Sequence, residues 1–372
     1  MSQLFQPLTL RGVTIPNRVW MSPMMQYSAP AQGPETGTPT DWHLQHLVSR
    51  AVGGAGLVMV EATSVSAEGR SSAYDLGLWN DGQPPAFARV VRALSDSGAV
   101  PAIQLNHPGR KAGIGRPWSD AHPPRPGLRR VGPSPITFGT VPAPHELTTH
   151  AITTVVDEFA QAARRAHLAG FRALEIHGAH GYLVHSFLSP QTNHRTDAYG
   201  GDLERRMRFA LEVVDAVRTQ WPQELPLFFR TSATDWLAGH GTETRPGWTV
   251  DDTTHLAREL MAHGVDLLDV STGGIVPDAT IPVSPGYQVT FSAQVRAQTG
   301  MPTAAVGLIT RPEQAEKIIA LGEADAVFLG RELLRDPYWP RHAAHSLGAT
   351  VPAPPQYARA FPGRSRLPPQ AP

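Results

Sequence analysis

Two imidazoles three residues apart, and a phenol two residues later, stand in the run His177-Gly178-Ala179-His180-Gly181-Tyr182. The run follows an apolar stretch over residues 173–176 that reads as a buried strand. A strand end of this kind aims three titratable groups into one pocket, where they can hold an oxygen and deliver a proton. Metal binding is the weaker reading: zinc wants a third ligand at least, and the pair lacks the helical His-Glu-x-x-His spacing. Neutral imidazoles serve better as N–H donors to a carbonyl, nitro or phenolate oxygen. The plainer alternative, in which each ring only satisfies a strand-end carbonyl, is outweighed by Tyr182 and by the dense text that runs on through Asp197-Ala198-Tyr199-Gly200-Gly201.

The elements that must position this group alternate along the chain. Apolar, β-rich runs predict strands at 19–24, 57–62, 100–105, 173–177, 227–231, 267–271, 302–306 and 325–329. Helix-length amphipathic segments follow at 41–52, 84–97, 149–169, 201–219, 250–263, 291–299, 311–321 and 331–336. Asp41, Thr149 and Asp251 suit caps or first turns. Strict alternation makes the strands parallel, and eight units close into an α/β architecture, the (β/α)8 TIM barrel. An open doubly wound sheet is the alternative, but no glycine-rich dinucleotide turn follows the first strand.

A Pro- and Gly-rich insertion at about 106–150 is expected to cap the barrel mouth after the third strand. A second polar stretch, 237–248, follows the fifth. The expected organisation is a barrel over 1–340 and an extended C-terminal tail over 341–372, where Pro352, Pro354 and Pro355 bar a continuing helix.

Composition narrows the function classes. Lys+Arg and Asp+Glu are equal at 32 each in 372 residues, so no net field favours nucleic acid or an anionic membrane. Cysteine is absent, which excludes disulfides, thiolate nucleophiles and cysteine-ligated iron–sulfur clusters. No stretch approaches about 18 uninterrupted apolar residues, and the N-terminus lacks a secretory pattern. A cytoplasmic protein is the expectation.

Working residues of such a barrel cluster at the C-terminal ends of its strands. Those ends carry Ser22-Pro23-Met24-Met25-Gln26-Tyr27, then Glu61-Ala62-Thr63, then Gln104 and Asn106-His107-Pro108-Gly109-Arg110. The later ones carry Arg230, Ser271-Thr272-Gly273-Gly274, Gly307 and Gly330-Arg331. No carboxylate cluster is expected among them. Gly307, Gly330 and Arg331 open helices at the two ends where this barrel usually cradles a phosphate. Arg230 needs a partner, either Asp235 or Glu175 for stability alone, or a charge that develops during the reaction.

These residues resemble the Old Yellow Enzyme family of FMN-dependent ene-reductases, in its thermophilic-like bacterial branch. The likeness runs from Leu4-Phe5-Gln6-Pro7-Leu8 to about Tyr338 and is densest at residues 21–27, 104–111, 177–208 and 307–337. It implies a barrel with non-covalent FMN at its mouth and NADPH as reductant. By that likeness Ser22, Pro23, Met24, Met25 and Ala62 lie along the flavin, Gln104 binds its pyrimidine edge, and Arg230 stands beside N1 and O2. Gly307, Gly330 and Arg331 hold the phosphate. His177, His180 and Tyr27 bind an enone-type substrate, flavin N5 gives hydride to its β-carbon, and Tyr182 protonates the α-carbon.

Met25 stands where many members of the branch carry cysteine, so the resemblance implies a shifted flavin potential. Arg359, in Gln356-Tyr357-Ala358-Arg359, resembles an arginine that enters a neighbouring protomer's site, implying a homodimer or homotetramer. Iron–sulfur relatives such as dienoyl-CoA reductases and amine dehydrogenases are excluded by the lack of cysteine. A metal-dependent barrel lyase or aldolase and a non-catalytic flavin-binding protein stand as the competing readings.

Overall fold

A computed structural model gives the structure of residues 2–118, 127–237 and 243–360. An antiparallel hairpin, β1 (Leu8–Leu10) and β2 (Val13–Ile15), precedes a closed barrel. The barrel begins with β3 (Val19–Met21), β4 (Leu57–Ser64) and β5 (Val100–Asn106). A two-residue parallel pair, β6 (Val131–Gly132) and β7 (His145–Glu146), lies in the expected capping segment. The barrel then continues with β8 (Ala173–Gly178), β9 (Leu227–Ser232), β10 (Leu267–Ser271), β11 (Thr303–Ala305) and β12 (Ala326–Leu329), which pairs back to β3. All eight barrel strands are parallel. The (β/α)8 barrel expected from the alternation is the fold.

The outer layer comprises α1 (Asp41–Val52), α2 (Pro84–Asp96), α3 (Thr149–Leu168), α4 (Leu183–Leu188), α5 (Leu203–Gln220), α6 (Val250–Ala262), α7 (Val289–Thr299), α8 (Pro312–Ala320), α9 (Arg331–Arg335) and α10 (Trp339–Ser346). Polar caps start several of them. Thr148 accepts from Ala151 N at 3.1 Å, Asp202 from Arg205 N at 2.9 Å, and Thr249 and Asp252 form a reciprocal capping box. Asp41, Thr149 and Asp251 therefore sit in first turns, one or two residues inside the caps.

Period-two alternation decides what fills the barrel. Trp20 of β3 stacks on Phe228 of β9 at 5.7 Å and meets Phe328 of β12 edge-on at 5.4 Å. Two residues further along β9 comes Arg230, then Ser232, both buried. The registers Gln104↔Glu175, His177↔Arg230, Asp269↔Arg230 and Ser271↔Ser232 stack polar layers above this aromatic plug, towards the mouth.

Three expectations are corrected. The first strand ends at Met21 rather than residue 24, because Pro23 has no N–H to extend a ladder. A short helix, α4, follows Tyr182 directly; all six of its residues are buried, so no amphipathic period marks it. The stretch after 340 is not a loose tail from its start. α10 spans that boundary, and Arg341 ties it down by donating to Val52 O at 2.8 Å, Val351 O at 3.1 Å and Pro352 O at 2.8 Å. Residues 119–126 of the capping insertion, 238–242 of the second polar stretch and 361–372 of the tail lie outside the described residues.

Gly178 ends β8 directly after the first histidine of the motif. A Cβ there would fall 2.2 Å from Phe229 Cζ and 3.0 Å from Arg230 O, so the side chain must be hydrogen. Gly178→Ala is expected to destabilise the fold by about 1–3 kcal/mol and, in a chain of this length, lower Tm by roughly 1–4 °C. An unchanged melting curve would show that the close approach has no energetic weight.

Candidate active site

A charged cluster forms the floor of the barrel mouth. Gln104 Nε2 donates to Glu175 Oε1 at 2.7 Å, Arg230 Nε lies 3.3 Å from Asp269 Oδ2, and Arg230 Nη1 donates to Ser22 Oγ at 3.2 Å. Glu175 and Asp269 are fully buried. Burial pushes both carboxyls above their usual range, and for Glu175 the nearby Asp269 adds to it. Hydrogen bonding between the two acids raises Glu175 further and lowers Asp269, so the proton the pair retains sits on Glu175. With that proton, two acids and one guanidinium are neutral together.

This floor overturns two expectations. Arg230 makes its ion pair with Asp269, not with Asp235 or Glu175. A carboxyl pair does converge at the strand ends, because Glu175 and Asp269 occupy inward-facing positions of apolar runs. Asp235 instead lies 3.0 Å from His185 Nε2, both fully buried, and accepts from Ser189 Oγ at 2.6 Å and Trp248 N at 2.8 Å. His185 Nδ1 accepts from Gly181 N at 2.9 Å. This second buried node ties α4 and the Gly181 turn to the loop after β9.

Above the floor stand the motif residues. His177 Nδ1 accepts from Ala179 N at 3.2 Å, so the proton of its neutral ring is on Nε2. His180 has φ +58°, a left-handed backbone costly for any residue with a Cβ. Its N donates to Ser232 Oγ at 3.0 Å, and its carbonyl accepts from Lys111 Nζ at 2.7 Å. The same ammonium donates to Gly274 O at 2.6 Å and sits 3.8 Å over the Phe138 ring. A Cβ on Gly274 would come within 2.6 Å of His180 Cα, so the two turns interlock.

The rings cross edge to face. His177 and His180 are 5.1 Å apart, and His177 and Tyr182 4.9 Å. Burial, helped by the positive charge of Arg230, holds both imidazoles well below their ordinary range, so they are neutral. Burial likewise raises the Tyr182 phenol, which keeps its proton and donates to Met25 Sδ at 3.8 Å. The group thus offers neutral N–H donors beside a protonated phenol.

These three side chains line a cavity of about 270 Å³ together with Ser22, Pro23, Met24, Met25, Ala62, Gln104, Arg230, Val306, Gly330 and Arg331. A neighbouring cavity of about 160 Å³, lined by residues 306–310 and by Gly330, Arg331, Glu332 and Arg335, shares Val306, Gly330 and Arg331 with it. Gly307, at φ +114°, has no room for a side chain: a Cβ would fall 2.6 Å from Gln288 Nε2. The residues fit FMN. Gln104 Oε1 and the Arg230 guanidinium offer an acceptor and donors to a pyrimidine edge, and Arg331 with the glycine backbones offers a phosphate cradle.

Two of the residues singled out in the sequence lie elsewhere. Tyr27, at φ +50°, is half-buried outside the cavity lining, with its ring 5.8 Å from Trp118 and its carbonyl accepting from Arg116 Nε at 3.0 Å. Arg359 is exposed in a 3₁₀ turn, Pro355–Ala360. Conversely, Asp269 and Ser232 support the site though the sequence singled out neither, and Ser271, Lys111 and His185, present there only within longer runs, prove to be supports as well. Among the described residues, no group of three or more His, Asp or Glu could hold a metal ion, and no helix is long and apolar enough to cross a membrane.

A sequence model of the NADH:flavin oxidoreductase / NADH oxidase family matches residues 3–349. An NADPH dehydrogenase of Listeria innocua is 47% identical over 362 residues, 97% of this chain and 100% of that protein. Among solved structures, morphinone reductase in complex with tetrahydroNAD is 30% identical with a TM-score of 0.74, over 95% of this chain and 93% of that one. An old yellow enzyme homologue from Zymomonas mobilis is 26% identical with a TM-score of 0.76, over 97% and 99%. The chain belongs to the NADH:flavin oxidoreductase / NADH oxidase family and is a flavin-dependent oxidoreductase of the Old Yellow Enzyme type.

Proposed function

We propose that this NADPH dehydrogenase, with FMN as its cofactor, reduces the activated C=C bond of α,β-unsaturated carbonyl compounds, and of nitro analogues. The observation that carries the reading is the pair of neutral imidazoles, His177 and His180, 5.1 Å apart, with the Tyr182 ring 4.9 Å from His177, in one cavity with Gln104 and Arg230. When bound, FMN supplies reversible two-electron hydride chemistry. The protein's own residues do the rest. His177 and His180 donate to the substrate's carbonyl oxygen and draw electron density towards it, which makes the β-carbon a better hydride acceptor. Tyr182, protonated and adjacent to His177, gives its proton to the α-carbon. Arg230 would donate N–H groups to negative charge developing at the pyrimidine edge.

The direct test is anaerobic bleaching of the yellow protein by NADPH, followed by cyclohexenone. Rapid return of colour supports the reading; a bleached protein indifferent to the enone would overturn it. Tyr182→Phe should slow the reoxidation by about 10²-fold while flavin reduction stays nearly unchanged; equal slowing of both halves would remove the phenol from the proton step. His177→Ala should slow reoxidation by about 10²–10³-fold.

The titrations give a pH prediction. Both imidazoles titrate below the ordinary histidine range and Tyr182 above the ordinary tyrosine range. Acidification through about pH 6.5 therefore does not charge the donors, and alkali up to about pH 9 does not strip the phenol. Neither the imidazoles nor the phenol should therefore bend the enone reoxidation profile between those limits, and a bend inside them belongs to Lys111, lowered by burial to about 7, or to Asp269, raised by burial to about 6. A bend near about pH 6.5 that disappears in His180→Asn would instead show that one of the pair titrates as an ordinary histidine.

A further inference from the structure

We infer that Ser271 sets the tautomer of His180, holding the ring proton on Nδ1 so that this histidine is a donor towards the cavity. The inference deepens the reading of His177 and His180 as paired donors to a substrate oxygen. It begins from an ambiguity in chemistry rather than in position. A neutral imidazole has one N–H and one bare nitrogen, so two histidines facing the same oxygen help only if each turns its N–H towards it.

His177 solves this with backbone: Ala179 N occupies Nδ1 at 3.2 Å, leaving Nε2–H for the cavity. His180 is bound the other way round. Its Nε2 lies 2.7 Å from Ser271 Oγ at the end of β10, so Nδ1 is the nitrogen left for a ligand. If Ser271 accepted from Nε2–H, Nδ1 would present a lone pair to the lone pairs of the substrate oxygen. If Ser271 donates to Nε2, Nδ1 carries the proton.

The neighbours of Ser271 decide between these. A hydroxyl has one proton, and Ser271 Oγ has two candidate acceptors, His180 Nε2 at 2.7 Å and Gln288 Oε1 at 3.4 Å. The longer distance lies outside the ordinary O–H···O range of about 2.5–3.0 Å, whereas the shorter is near its mode. Gln288 Oε1 already accepts a short bond from Thr272 Oγ1 at 2.7 Å, which leaves the distant Ser271 hydroxyl a weak second donor at most. The amide cannot turn round, because Gln288 Nε2 donates to Val306 O at 2.9 Å. Ser271, Thr272 and Gln288 are all buried, so water does not compete for these bonds. The Ser271 proton therefore goes to His180. The left-handed backbone of His180, held by Ser232 Oγ at its N and Lys111 Nζ at its carbonyl, brings the ring to Ser271 in the first place. Ser271 is a positioning residue: it does not line the cavity, and acts through His180.

The test reads the tautomer itself, in FMN-loaded protein with the flavin oxidised and without substrate, so it can succeed or fail independently of whether enones are reduced. Protein carrying ¹⁵N-labelled histidine rings is examined by long-range ¹⁵N–¹H correlation NMR, with His180→Asn used to assign the signal. The expected result in the unaltered sequence is a protonated Nδ1 and a bare Nε2 for His180, opposite to His177. A His180 proton on Nε2 would overturn the inference, and this measurement needs no substitution at Ser271. Ser271→Ala should then move the His180 proton to Nε2, and Ser271→Thr should return it to Nδ1. In the same FMN-loaded protein, Ser271→Ala should weaken binding of a phenol ligand by about fivefold, the loss of one neutral hydrogen bond, with Ser271→Thr close to the unaltered protein. A Nδ1–H signal that persists in Ser271→Ala would overturn the role assigned to the serine.

Discussion

A guanidinium sealed inside a parallel barrel has to be neutralised, and much of this molecule is arranged around that requirement at Arg230. Uncompensated, a buried charge of this kind costs several kcal/mol. Asp269 lies 3.3 Å away, Glu175 shares the layer, and Gln104 and Ser22 complete the hydrogen bonds. Two acids with one proton between them balance one arginine without adding net charge. The cluster also fixes the strands, because its members face inward only in the observed registers. A slip of one residue in β8 or β10 would turn Glu175, His177 or Asp269 out of the barrel. The same interaction that keeps the fold in register therefore supplies the guanidinium at the floor of the cavity.

The mouth above that floor is built differently, from turns rather than strands. His180 holds a backbone conformation that costs of order 1–3 kcal/mol, and it persists because surrounding groups over-determine it. Lys111 bridges the carbonyls of His180 and Gly274, and the fully buried His185–Asp235 pair fixes the turn that follows. A low-dielectric pocket then does two jobs for the motif residues. It strips the histidines of charge and keeps the tyrosine protonated, so that all three are neutral donors at the pH where the protein works.

The barrel was legible because each of eight apolar runs was followed by an amphipathic helix of ordinary length, a pattern with few architectural solutions. The histidine–tyrosine motif was legible because three polar side chains at one strand end have little structural reason to be there. What stayed hidden had physical causes. Asp269 sits alone inside Leu267-Leu268-Asp269-Val270 and Glu175 inside Ala173-Leu174-Glu175-Ile176; each reads as an apolar run with one acid, and only the register of three strands joins them to Arg230. Ser232 and Ser271 carry no signature as residue types, and their roles come from distances to His180. The hairpin β1–β2, the pair β6–β7 and helix α4 are too short for a periodic signal. The helix α10 is short, carries Pro340 in its first turn and is followed closely by Pro352, Pro354 and Pro355, so its sequence resembles that of an irregular tail.

The central claim, that one buried guanidinium provides the charge a reduced flavin needs, is tested most directly by the flavin midpoint potential with Arg230 present and replaced by Gln. Spectroelectrochemical titration of the two FMN-loaded proteins should find the Arg230→Gln potential lower by about 60 mV, the equivalent of about 3 kcal/mol for two electrons. Equal potentials, with FMN bound to both, would contradict the account.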